Sequence, residues 1–259
     1  MSQVNYIPPS YLQRVAGSPA IQKLRKLATE RLEIRRGSHV LDIGCGPGTL
    51  TVRFARIVGQ NGAVVGIDLD PQMIRLSKER AHRLGLTARA THQVADCTNL
   101  PFRAGTFDAC YCERVLQHLA HSNPAYALDE AIRVTRPGGK IVFADTDWGS
   151  FSIDSDELRL ERRIVSAHAA RFRNPFAGRI LPRLFRSSGL ENVEVDLIGI
   201  AIDYFGLLEL IAPSERMAIV SGAITPAEWR RWRRSLERTH VRGEHQSHVL
   251  IVLASARRG

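Results

Sequence analysis

The residues with the clearest chemistry lie in Val40-Leu41-Asp42-Ile43-Gly44-Cys45-Gly46-Pro47-Gly48-Thr49-Leu50, where an apolar run of strand type enters a glycine loop and a helix-compatible segment follows. Glycines at alternate positions leave no side chain between backbone and ligand, and the free N–H groups that open the next helix favour an anion such as a carboxylate. Val64-Val65-Gly66-Ile67-Asp68 is a second strand ending in an acid twenty residues after Gly48. A carboxylate there can accept both hydroxyls of a ribose. Together these signals predict a cofactor with a sugar and an anionic group, bound where strand turns into helix.

The third glycine separates the cofactor classes. The dinucleotide fingerprint is GxGxxG, whereas this loop places Gly48 one residue early and Thr49 where the last glycine should fall, which weakens a nicotinamide reading. A glycine-rich turn also serves plain strand-to-helix connections, so the later motifs must carry the argument. The loop resembles the first motif of the class I S-adenosylmethionine (SAM) methyltransferases, which has an acid two residues before GxGxG, here Asp42. That resemblance implies that Asp42, Gly44, Cys45, Gly46 and Gly48 surround the cofactor and that Asp68 holds the ribose. It implies further that Leu69 and Met73 lie against the adenine, while Asp96 and the backbone N–H of Cys97 bond its edge. It also makes Tyr6, Tyr11 and Arg14 candidates to touch the ligand, with packing of that segment as the simpler role.

The resemblance narrows along the chain. Phe107-Asp108 followed by apolar residues, then Val115-Leu116-Gln117-His118-Leu119, Glu130 and Arg133-Val134-Thr135-Arg136-Pro137-Gly138-Gly139, is similar to the ubiquinone/menaquinone-type branch, whose members mostly methylate small molecules. The Pro-Gly-Gly turn is architectural: it stops a helix and redirects the chain into the next strand, expected over Lys140 to Ala144. Ligands in open parallel sheets bind beyond the carboxyl ends of the strands, which gathers Gly44 to Gly48, Asp68, Asp96, Glu113, His118, Asp145 and Asp147 on one rim. Glu113 is expected to border the cofactor, and His118, Asp145 and Asp147 to face the acceptor as acid–base groups. His118 has the best-matched unperturbed pKa. Packing of His118 and turn capping by the two aspartates are the alternatives.

These residues need a doubly wound α/β frame. The expected fold is a Rossmann-like sheet of seven strands, mostly parallel, and the resemblance implies that the last strand, His248 to Arg257, inserts antiparallel between the fifth and sixth. Residues 1–35 read as an N-terminal helical cap and residues 36–259 as the methyltransferase domain, with lid insertions at about 149–187 and 206–238. Ser18-Pro19, Asp70-Pro71 and Thr225-Pro226-Ala227-Glu228 are helix starts. In the last helix Trp229, Trp232 and Leu236 oppose Arg230, Arg233 and Arg234. That face suits a membrane or nucleic-acid surface, or, more commonly, inward packing of its apolar side.

Apolar content of 44% and charged content of 24% are those of a globular chain. The net charge of +10 is spread over both halves and carried mostly by arginines interleaved with acids, which argues for a solvated face over a nucleic-acid footprint. Cys45, Cys97, Cys110 and Cys112 fit no zinc spacing and read as reduced thiols, and no metal is expected. With no apolar run of membrane-spanning length and no signal peptide in Met1 to Ser10, the expected location is the cytoplasm. The sequence therefore implies a SAM-dependent transfer of methyl to an O, N or C atom of a small molecule, by a monomer or homodimer. Methylation of RNA or another macromolecule, and SAM binding without turnover, are the competing readings.

Overall fold

The computed structural model describes residues 17–120 and 123–259, so Tyr6, Tyr11 and Arg14 lie outside the described residues. The chain forms a seven-stranded sheet in the order β3-β2-β1-β4-β5-β7-β6. Its strands are β1 (His39–Ile43), β2 (Ala63–Asp68), β3 (Ala90–Val94), β4 (Phe107–Glu113), β5 (Thr135–Ile153), β6 (Glu191–Ala201) and β7 (Ser247–Arg257). The first five run parallel, and β7 pairs antiparallel with β5 and β6, as the resemblance implied. The order reverses between β1 and β4, and such a switch point opens a crevice beyond the strand ends.

Helices α1 (Pro19–Arg31), α2 (Thr49–Val58), α3 (Pro71–Arg83) and α4 (Asn123–Val134) belong to the parallel half. Ser18 caps α1 and Asp70 caps α3 through side-chain oxygens, each followed by a proline whose missing N–H costs nothing at that position. Alternation along β4 sends Tyr111 to one face, edge-on to Phe54 at 5.6 Å, and Cys110 and Cys112 to the other. All four cysteines are buried free thiols.

The C-terminal half departs from expectation at one strand. The fifth strand does not stop at Ala144: β5 continues to Ile153, because Asp145, Thr146 and Asp147 stay in register with Val252, Ile251 and Leu250 of β7. Residues 149–153, expected in helical lid, are therefore strand. Beyond them α5 (Leu158–Ala169) and α6 (Ala177–Ser187) flank the sheet, and α7 (Tyr204–Val220) and α8 (Pro226–Val241) follow β6. Thr225 and Glu228 form a reciprocal capping box at the start of α8. The apolar face of α8 turns inward: Trp232 and Leu236 are fully buried, and the Trp232 indole donates to Glu215 at 2.9 Å, with Arg233 pairing to the same carboxylate. Among the described residues no helix is long and apolar enough to cross a membrane.

Gly178 lets α6 press directly on β5, since a Cβ there would sit 2.5 Å from the Asp145 carbonyl oxygen and 2.9 Å from the Asp147 nitrogen. Backbone atoms cannot rotate away, so Gly178→Ala should lower unfolding free energy by roughly 2 kcal/mol or more, as overpacking does. Urea denaturation followed by circular dichroism would read this, and a midpoint equal to wild type would contradict the close approach.

Candidate active site

A cavity of about 250 Å³ opens at the crevice between β1, β2 and β4. Each strand delivers its polar residue to this edge because β1, β2 and β4 are parallel and in register, so their carboxyl ends coincide. Gly48 ends the loop at φ +75° as the N-cap of α2, and a Cβ there would lie 2.8 Å from the Ser77 side chain. Only glycine meets both conditions without strain. The carboxylate of Asp68 accepts from the backbone N–H of Gly46 at 2.9 Å and of Asp70 at 3.0 Å, which clamps the loop against the end of β2. Burial nonetheless raises its pKa.

Asp42 sits beneath the loop, 2% exposed, and accepts from the Thr51 hydroxyl at 2.6 Å. Burial drives its carboxyl up to about 7, against the pull of that hydrogen bond. Gly44, Cys45, Gly46, Leu69 and Met73 also border the cavity, Leu69 largely exposed and Met73 buried. Asp96 and Cys97 complete that side, with Asp96 capping its own turn through the Thr98 N–H and hydroxyl, each at 2.8 Å. Burial pushes the Cys97 thiol up to about 12 and the Cys45 thiol higher still, so both stay protonated.

Glu113 borders the cavity, but its oxygens are taken. Arg25 from α1 donates to it twice, at 2.8 and 3.1 Å, and the Tyr111 hydroxyl donates at 2.7 Å. Burial works to raise this carboxyl, yet the charges of Arg25 and Arg114 outweigh it and hold it down at about 2. The third nitrogen of the Arg25 guanidinium, Nη1, is buried with no partner among the described residues, and Arg25 lines the cavity. Nothing in the sequence singled out Arg25 among the cations of α1: its signal is an ion pair with a residue 88 positions away. Gln117 was likewise missed.

His118 borders the cavity from a short 3₁₀ turn, Leu116–His118, after β4. Burial, and then the charge of Arg114, lowers its pKa to about 4, so the ring is neutral near pH 7. The two aspartates expected beside it are elsewhere. Because β5 runs on, Asp145 and Asp147 lie inside the sheet, outside the cavity lining. Asp145 accepts from the N–H groups of Thr146 at 2.8 Å and Gln117 at 3.3 Å, and burial lifts it to about 7. Asp147 is bound by Arg179 at 2.9 Å. Among the expected acid–base groups, His118 alone faces the cavity.

Residues 40–139 match the model of a methyltransferase domain family. The chain is 36% identical over 181 residues to a 37.1 kDa protein of transposon TN4556 from Streptomyces fradiae, covering 70% of this chain and 51% of that protein. It is 33% identical over 109 residues to the ubiquinone/menaquinone biosynthesis C-methyltransferase UbiE of Cronobacter sakazakii, covering 42% of this chain and 43% of that one. The chain thus spans about half the length of the curated relatives it matches. Its fold is shared with the YcgJ protein of Bacillus subtilis at a TM-score of 0.65 and 17% identity, over 92% of this chain and 99% of that one. The matched family's cofactor, SAM, fits the polar groups at this cavity: the Arg25 guanidinium, with one nitrogen unpartnered among the described residues, suits a carboxylate, and the Asp68 carboxylate can accept from ribose hydroxyls.

The elevated Asp42 and Asp145 carboxyls carry a pH signature. Each has a folded pKa near 7 against 3.8 for the free group, so the native state binds more protons than the unfolded chain between those values. These two carboxyls should therefore contribute stability that grows as pH falls from 8 towards 4, opposed below about pH 6.5 by His92, His118 and His168, whose pKa values, lowered by burial, make the unfolded chain bind protons first. Asp145→Asn should flatten part of that slope in urea titrations at several pH values. An unchanged slope would mean that Asp145 is not held protonated by burial.

Proposed function

We propose that this protein transfers the methyl group of SAM to an O, N or C atom of a small organic molecule, acting in the cytoplasm. The observation that carries the reading is the cavity that Gly44 to Pro47, Asp68 and Arg25 line together at one edge of the sheet. When bound there, SAM supplies an electrophilic methyl group on a sulfonium. Asp68 would accept from the ribose hydroxyls with the outer lone pairs left by its two backbone bonds, and Asp42 would support the loop from below. Leu69 and Met73 would cover the adenine, with Asp96 and the Cys97 N–H at its edge. Arg25 Nη1 would hold the carboxylate, and Glu113 would act through Arg25 by fixing the guanidinium.

Residues 1–35 would act as a cap and residues 36–259 as the domain proper. The segments near 154–187 and 206–238 would form the lid that sets acceptor choice. Their helices pack around Trp148, Phe151 and His168 on the acceptor side of His118, which supports that placement. Small-molecule acceptors are supported by the similarity to the quinone C-methyltransferase and by the inward-packed α8, whose tryptophan face is unavailable to a polynucleotide. Much of the rate would come from holding the acceptor in line with the methyl carbon in a site shielded from water.

Calorimetric titration with SAM and with S-adenosylhomocysteine tests the cofactor site. Wild type should bind either at one site, Asp68→Ala should weaken binding by at least tenfold, and Arg25→Met by about tenfold or more, the worth of a charge-assisted hydrogen bond. Folded wild-type protein that binds neither ligand would remove the proposal. Turnover is then sought with a panel of phenols, enols, hydroquinones and amines, scored by S-adenosylhomocysteine released.

A further inference from the structure

The hydrogen bonds behind His118 leave its proton little choice. The Trp148 indole can only donate, and its Nε1 lies 2.8 Å from Gln117 Oε1. The Arg114 carbonyl can only accept, and it lies 3.2 Å from Gln117 Nε2. Both neighbours orient the Gln117 amide the same way, with nitrogen towards His118, whose Nε2 is 3.2 Å from it. One hydrogen of that amide goes to Arg114 and the other to the ring, so Nε2 of His118 must accept. Gln117 is itself 3% exposed, and its backbone is held at both ends, by Asp145 on its N–H and by the Asn174 N–H on its carbonyl.

We infer that Trp148 and Gln117 fix His118 as the neutral tautomer protonated at Nδ1, so that the acceptor wall of the cavity presents a hydrogen-bond donor and not a general base. The groups around the ring agree with an uncharged state. Arg114 brings positive charge from its own segment, the ring of Phe172 packs at 5.8 Å, and Trp148 closes the far side of Gln117. The carboxylate of Asp145 is turned to backbone N–H groups and stops short of the imidazole. Gln117 is accordingly a positioning residue.

The inference rests on the methyltransferase reading for the nature of the acceptor. A donor at Nδ1 takes no proton from the substrate, so the acceptor must arrive with its nucleophilic electron pair free and with an oxygen for the histidine to bind. Phenolate and enolate acceptors meet both conditions, their proton having left to water before binding, and the hydrogen bond then stabilises the oxygen while methyl moves to the nucleophilic atom. His118 would count as catalytic through that contact.

Long-range proton–nitrogen correlation spectra of histidine-labelled full-length protein read the tautomer without cofactor or acceptor, with His118→Asn assigning the signals. The expected result is a bare Nε2 and a protonated Nδ1 from about pH 5.5 to 8, with no titration in that range. A protonated Nε2 or an imidazolium at pH 7 would overturn the inference. Gln117→Glu, which replaces the donor with an acceptor, should protonate Nε2 and raise the titration midpoint; a folded variant with the wild-type tautomer would refute the relay. For any phenol or enol turned over in the panel above, His118→Asn keeps a donor near Nδ1 and should retain kcat within about tenfold. Loss of about a hundredfold or more, as removal of a general base produces, would overturn the donor role. Failure of SAM to bind would refute the proposed activity and leave the tautomer result standing, so the two failures are distinguishable.

Discussion

The ion pair between Arg25 and Glu113 is the contact on which the cavity depends. Both side chains are under a tenth exposed, and they join the first described helix to the end of the central strand β4. Loss of either partner would leave a buried charge uncompensated, a cost of about 3–5 kcal/mol. Its bidentate geometry fixes the guanidinium plane, and the remaining nitrogen, Nη1, has no partner among the described residues. Tyr111 ties the same carboxylate to the core face of the sheet, where its ring meets Phe54. Helix, strand and ligand edge are therefore held by one carboxylate.

The acids gathered at the strand ends differ because their partners differ. Glu113 is fully ionised, its burial outweighed by arginine charge. Asp42 is equally buried but accepts from the Thr51 hydroxyl and has no arginine bound to it, and its carboxyl rises to about 7. Asp68 lies between, satisfied by backbone N–H groups of the glycine loop. One sheet edge thus carries a permanent negative charge, a near-neutral acid and a ligand-facing carboxylate, all set by local dielectric and hydrogen bonding.

The length of the β5–β7 ladder decides what the acceptor side contains. By carrying Asp145 and Asp147 into the sheet it removes two acids from the cavity and delivers Trp148 to the back of Gln117. Asp147 becomes a strut to α6 through Arg179, and Asp145 buttresses the 3₁₀ turn that bears His118. Of the three acid–base groups expected at the cavity, that leaves His118, which borders it beside Gln117 and Leu119.

The strands, the glycine loop, the capped helices and the acids at the ends of β2 and β4 were legible in the sequence because they follow from local pattern, while the place of the last strand came from the family resemblance. Apolar runs, positive-φ glycines and N-cap residues act within a few positions of one another, and parallel pairing brings equivalent ends of strands together. What was not legible depended on partners far apart in the chain. Where β5 ends is set by β7, about a hundred residues later; whether Glu113 meets a ligand directly is set by Arg25; and which nitrogen of His118 holds a proton is set by Trp148. The sequence by itself determined the frame and the identity of the cofactor edge. Only the tertiary structure decided the ionisation and hydrogen-bonding direction of the groups on it, because those depend on burial and on which donors and acceptors folding places within three ångströms or so of each other.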